Sequence, residues 1–203
     1  MADFAKVLVV MAVPAESAGV FEAAGVPVLY CGVGKVNAAI ALTRELRRYV
    51  HHAQPLPLVL NVGTAGSPVH PTGSLLECHE FVQRDMDVSG LGFALGVTPF
   101  DEVPARLSFE RRFPQLTAAV CGSGDSFVTS VSLGDWAVVD MEAYALAKVC
   151  LIEKARFACV KYVSDGADHA AAHHWQSNVH KAAEEFLSLY RSVRLTCNTQ
   201  TGS

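Results

Sequence analysis

Three continuous apolar runs, each closed by a turn or break of small residues, constrain this chain most. Residues 6–13 (KVLVVMAV), 26–31 (VPVLYC) and 57–62 (PLVLNV) are rich in β-branched residues and lack any apolar–polar alternation. A strand with one face in water alternates; a run that does not is covered on both faces. Helical spacing fills the gaps. Pro14 opens a helix reaching about Ala23, with proline at an early position. A second helix runs from Gly34-Lys35 to about Val50, with Val36, Ala39, Leu46 and Val50 on one stripe. Arg44 and Arg48 lie off that stripe and Arg47 at its edge.

Further strands are expected over 75–82, 116–121, 136–139 and 157–163, and helices over 141–152 and 175–193. Residues 84–115 mix Gly, Pro and charge with little periodicity, and read as a long loop with one short helix. Strands alternating with helices predict an α/β fold: a single-domain three-layer α/β/α arrangement with a central mixed, mostly parallel twisted sheet. At 203 residues the chain suits one core, since cores stop growing only at roughly 250–300 residues. The domain is expected to occupy 1–195, with 196–203 as a polar flexible tail.

Charge narrows the partners. A net charge of −4 and no Lys/Arg-rich stretch beyond the helical 44–48 argue against nucleic acid. Cys31, Cys78, Cys121, Cys150, Cys159 and Cys197 form no C-x-x-C pair, and read as reduced thiols of a cytoplasmic protein. The first apolar run is too short to span a bilayer and lacks the basic flank of a signal peptide, so no membrane role is expected.

Four small-residue or acidic turns stand where strands hand over to helices, and such folds gather function at the carboxyl ends of strands. Gly32-Val33-Gly34-Lys35 lacks the third glycine of a dinucleotide fingerprint, Asn37 standing there, so a ligand-binding turn and a plain tight turn both fit. Gly63-Thr64-Ala65-Gly66 repeats the arrangement with one hydroxyl, suited equally to a sugar or to a structural turn. In Asp140-Met141-Glu142 the carboxylates can cap a helix or accept hydrogen bonds from vicinal hydroxyls. Asp165 follows a buried strand, where desolvation would equip it as a general acid and an Asx-turn would make it merely structural. His169, His173, His174 and His180 crowd nearby, but no H-E-x-x-H pattern supports a metal, and neither metal nor cofactor is expected.

Taken together these residues resemble the nucleoside phosphorylase superfamily, and within it the methylthioadenosine/S-adenosylhomocysteine nucleosidases. The resemblance runs from about Val7 to Phe186. It is carried most specifically by SGDSFV at 123–128, VDMEA at 139–143 and VSDGAD at 163–168, and supported by CGVGKV at 31–36, NVGTAG at 61–66 and QRDMDVSGLG at 83–92. It implies that Glu16 is the base activating water below a ribose, and that Asp165, beside Ser164, protonates the leaving purine. Phe127 would stack on the base and the Val128 backbone would bond its edge. Met141, Glu142 and Thr64 would contact the ribose, with Trp175 covering the sugar and Val33 lining the 5′ pocket. Val88, Leu91 and Pro99 would reach into a neighbour's site, implying a homodimer.

The implied reaction is hydrolysis of the N-glycosidic bond of a purine nucleoside. The phosphorylase branch carries Arg where this chain reads VPAES and NVGTAG, so water is the expected nucleophile. Phosphorylase, futalosine hydrolase and non-catalytic nucleoside binder are the alternatives. The segment between Glu16 and Gly32 is short, as if a β-hairpin were missing; Asp140 stands for Glu, Thr64 for Ser, and Val13 for a Met. Those departures leave the 5′-substituent open among methylthioadenosine, adenosylhomocysteine, 5′-deoxyadenosine and futalosine-type substrates.

Overall fold

The first and third of the expected apolar runs become inner strands, and the second, residues 26–31, an edge strand. The computed structural model describes residues 6–130 and 134–199, without the side chains of 195–199. In chain order the elements are β1 (Val7–Met11), α1 (Pro14–Ser17), α2 (Val20–Ala23), β2 (Val28–Tyr30), α3 (Lys35–His51), β3 (Leu58–Gly66) and β4 (Leu75–Gln83). There follow β5 (Arg106–Ser108), β6 (Thr117–Ser123), β7 (Val138–Asp140), α4 (Ala143–Glu153), β8 (Arg156–Asp165), α5 (Ala171–Asn178) and α6 (Ala183–Thr199). The strand path is β2-β1-β3-β7-β6-β4-β5, with β8 pairing both β3 and β4. β1 with β2 and β3, β3 with β8, and β6 with β4 and β7 are parallel. The β3–β7, β4–β5 and β4–β8 pairs are antiparallel, so the sheet is mixed and mostly parallel.

Successive strand residues alternate between two cores. Val10, Val59 and Cys159 pack with Ala38, Leu42 and Leu46 of α3 and Leu146 of α4 on one face. Val9, Leu58 and Leu60 pack with Phe21 of α2 and Phe186 and Tyr190 of α6 on the other. Covering on both faces is why the runs show no apolar–polar alternation. Cys31, Cys78, Cys121, Cys150 and Cys159 are free and buried, filling space as small hydrophobes; the side chain of Cys197 lies outside the described residues.

Several local expectations are corrected. The expected first helix is broken in two by Ala18 (φ 48°) and Gly19 (φ 76°), both left-handed. Among the described residues no strand lies between β1 and β2, so two short helices take the place of the missing hairpin. In α3 the buried stripe is Ala38, Leu42 and Leu46, at a spacing of four. Val36 is 67% exposed and Val50 50%, so of the expected stripe only Leu46 is buried, with Ala39 half-buried beside it. Residues 84–115 hold one 3-10 turn at Ser89–Leu91 and an unexpected strand, β5. The helix expected over 175–193 is two, α5 and α6, and α6 continues to Thr199, into the segment expected to be tail; residues 200–203 lie outside the described set.

Candidate active site

Glycine decides the geometry at the end of β3. A Cβ on Gly63 would lie 2.7 Å from Glu16 Oε1, and one on Gly66 2.7 Å from Asp165 Oδ1. Both contacts are closer than real Cβ atoms tolerate, so the glycines of NVGTAG give room to two carboxylates on one strand end. Glu16 Oε2 accepts the N–H groups of Ala12 (2.9 Å) and Val13 (3.3 Å). Its Oε1 accepts the Thr64 N–H (2.8 Å) and the Thr64 hydroxyl (3.0 Å). Four donors on a buried carboxylate hold it in one orientation.

Asp165 owes its aim to a bulge. β3 and β8 are in register to Ala65↔Val163 and resume at Gly66↔Asp165, leaving Ser164 as the extra residue. Bulges re-aim side chains beside active sites in this way. Asp165 is the last residue of β8, and its Oδ1 accepts the Ala167 N–H at 2.9 Å, the Asx-turn of the structural reading. Its Oδ2 accepts the Ser164 hydroxyl at 2.8 Å, and Asn178 donates to the Ser164 carbonyl at 2.7 Å. The turn and the pocket-facing acid are one arrangement, since Asp165 also lines the pocket.

The two readings of Asp140-Met141-Glu142 divide between its acids. Asp140 takes the structural part: it accepts the Ala143 N–H at the start of α4 (2.9 Å), the Ser123 hydroxyl (2.5 Å) and the Lys161 ammonium (2.8 Å). Burial works against its ionisation, but Lys161 and these hydrogen bonds hold Asp140 below the usual carboxylate range. Burial, the largest single effect on Lys161, disfavours its charge, but Asp140 and smaller contributions from the acidic groups around it together outweigh that and hold the ammonium well above its ordinary range. Glu142 turns to the pocket, where its Oε1 accepts the Gly34 N–H at 2.8 Å. Burial first, and Asp140 second, push the Glu142 carboxyl up to about 7, with Lys161 partly offsetting both.

These groups close on a cavity of about 200 Å³. The residues that the resemblance implies for one protomer's site, Glu16, Val33, Thr64, Phe127, Val128, Met141, Glu142, Ser164, Asp165 and Trp175, all line it. Trp175 reaches it from α5, donating its indole N–H to Thr64 Oγ1 at 3.0 Å. Val88, Leu91 and Pro99 are not among the residues lining this cavity; Leu91, in the 3-10 turn, is 75% exposed. Among the described residues no group of three or more His, Cys, Asp or Glu is arranged to hold a metal ion.

Sequence reasoning missed Arg84, Lys161 and Asn178. Arg84 lines the cavity, and its guanidinium braces the loop before Phe127, donating to the Gly124 carbonyl (3.1 Å), the Ser126 hydroxyl (3.0 Å) and the Ser126 carbonyl. Its Nε is buried without a hydrogen-bond partner. A signal for Lys161 did exist: a lysine inside FACVKYV must find a buried anion.

The carboxylate-lined cavity sits at the strand ends of a two-sided α/β sheet, where such folds bind their ligands. The chain belongs to the Phosphorylase superfamily, whose family model matches residues 18–193. It is 30% identical over 189 residues to a 5′-methylthioadenosine/S-adenosylhomocysteine nucleosidase of Marinomonas sp., covering 82% of this chain and 79% of the relative. The structure of the nucleosidase of that name from Helicobacter pylori, solved with butyl-thio-DADMe-Immucillin-A, superposes with a TM-score of 0.79 at 24% identity, over 92% of this chain and 97% of that one. A futalosine hydrolase mutant of Helicobacter pylori superposes with a TM-score of 0.78, also at 24% identity, over 91% and 97%. At that identity both likenesses speak for the fold.

Proposed function

We propose that this protein is a nucleosidase that hydrolyses the N-glycosidic bond of a 5′-modified adenosine, releasing free base and a ribose derivative. The observation that carries the reading is the pairing of Glu16 and Asp165, both buried and both on the wall of one cavity, with Glu142 a third carboxylate there. Asp165 protonates the departing base and Glu16 activates the attacking water. Glu142 accepts the ribose hydroxyls, while Phe127 and Val128 hold the base. An oxocarbenium-like transition state gains positive charge on the sugar, which a carboxylate-rich wall stabilises.

Water rather than phosphate follows from the same charge distribution. Four acids (Glu16, Asp140, Glu142, Asp165) and one guanidinium, Arg84, line the cavity. Two nitrogens of that guanidinium are engaged by the 124–126 loop. The exposed Val36 (67%), Leu91 (75%) and Phe100 (98%) fit a homodimer in which Val88, Leu91 and Pro99 complete a neighbour's pocket. Cytoplasmic location belongs to the same reading.

The test is base release from methylthioadenosine, adenosylhomocysteine, 5′-deoxyadenosine and futalosine, each with and without phosphate. Adenine released from one of the adenosines without phosphate is the expected result. A phosphate requirement would make the protein a phosphorylase, preference for futalosine a futalosine hydrolase, and binding without cleavage a non-catalytic relative.

Glu142 predicts the pH dependence. As an acceptor it must be ionised, so kcat/KM is expected to fall below pH about 7, and Glu142→Gln to flatten that limb along with lowering the plateau. Stability moves the opposite way. The folded protein keeps a proton that the unfolded chain loses near 4.5, so this group's contribution declines as pH rises from about 4.5 to about 7. Chemical denaturation of wild type and Glu142→Gln across that window reads the sign; a slope unchanged by the substitution would refute it.

A further inference from the structure

Thr64 stands between α5 and the carboxylate of Glu16. Its Oγ1 donates to Glu16 Oε1 at 3.0 Å and accepts the Trp175 indole N–H, also at 3.0 Å. A hydroxyl has one hydrogen and two lone pairs, so it makes both bonds at once. The result is a directed chain from indole to hydroxyl to carboxylate, in which each donor polarises the next. The chain links three elements that share no strand ladder: Trp175 from α5, Thr64 from β3 and Glu16 from α1. α5 has one other polar tie to this site, Asn178 to the Ser164 carbonyl at 2.7 Å, next to Asp165.

We propose that Trp175 is a positioning residue for Glu16, acting through Thr64, so that seating α5 over the cavity aligns the carboxylate. The inference rests on Glu16 being the base. Glu16 Oε2 is fixed by backbone N–H groups, which do not depend on α5. Oε1 is held by the Thr64 N–H and by the hydroxyl whose direction the indole sets. With the indole bonded, the Thr64 hydrogen is committed to Glu16, and Thr64 can meet a ligand only as an acceptor. Without it the hydroxyl is free to rotate, and the carboxylate loses one of its four fixed donors.

Phenylalanine at 175 keeps a ring over the cavity and removes only the N–H. Trp175→Phe is expected to lower kcat about five- to tenfold, the worth of one hydrogen bond, with KM within about twofold. Thr64→Val is expected to lose at least as much. Adding Trp175→Phe to Thr64→Val should then cost nothing further, because the chain is already cut. If the ring only packs against substrate, the two losses multiply, and that result overturns the proposal.

NMR gives a second readout that packing would not move. The chain has two tryptophans, Trp136 and Trp175. The Trp175 indole N–H resonance is expected to shift in Thr64→Val and in Glu16→Gln, with the Trp136 resonance unmoved. A Trp175 signal unchanged in Thr64→Val overturns the chain. Near-normal turnover in Glu16→Gln would instead remove the base on which the proposal rests, so the two failures are distinguishable.

Discussion

Replacing Asp165 by asparagine is expected to reduce kcat by about 10²–10⁴-fold, the usual worth of a positioned acid, while leaving thermal stability near that of the wild type. The second half of this expectation comes from the hydrogen bonds. The asparagine side chain would keep an oxygen at the Oδ1 position to accept the Ala167 N–H, now at 2.9 Å. Its amide would occupy the Oδ2 position, facing the Ser164 hydroxyl, now at 2.8 Å. Ser164 need only turn its hydrogen to the Ala65 carbonyl, 3.3 Å away, and accept from the new amide. No donor is left facing a donor. What is lost is the proton for the leaving base. A riboside whose leaving group departs as a stable anion, such as 4-nitrophenolate, should therefore be cleaved nearly as fast by the variant as by the wild type. Loss of activity on both substrates would show that Asp165 holds the cavity together rather than supplying a proton.

The sheet was legible because burial on both faces leaves a mark: the apolar runs contain β1, β2 and most of β3. What failed was local. Ala18 takes a left-handed conformation that an alanine does not advertise, so the pattern predicts one helix where two stand. β5 is three residues long and pairs with a single strand, too short for a period to show. In α3 the apolar residues surround much of the helix, and the exposed Val36 and Val50 give the stripe a false bearing. The site was legible through its motifs, not through their physics. Nothing in the residue order says that Gly63 makes room for Glu16, since the two are brought together only by β1 pairing with β3. The division between a capping Asp140 and a pocket-facing Glu142 likewise depends on Lys161, a partner twenty-one residues beyond Asp140 that only the sheet identifies.

Glu16→Gln should lose activity on the same scale, about 10²–10⁴-fold, but unlike Asp165→Asn it should also lose stability. Each carboxylate oxygen of Glu16 faces donors: two backbone N–H groups at Oε2, and a backbone N–H with a hydroxyl at Oε1. A glutamine amide placed at Oε2 opposes the N–H groups of Ala12 and Val13. Placed at Oε1 it opposes the Thr64 N–H, and can be accepted by the Thr64 hydroxyl only if that hydroxyl reverses. Either way at least one part-buried N–H loses its acceptor, at a cost of about 1–3 kcal/mol, or several degrees of Tm for a domain of this size. Calorimetry on the two variants side by side tests the asymmetry, with Asp165→Asn melting near wild type and Glu16→Gln below it. Turnover then separates the two roles that Glu16 could have. If Glu16→Gln melts lower but turns over within about tenfold of wild type, the carboxylate only ties the end of β1 to β3, and water is activated elsewhere. If kcat collapses at temperatures where the variant is fully folded, the same four donors that make Glu16 a structural tie are what hold its charge in place for proton abstraction.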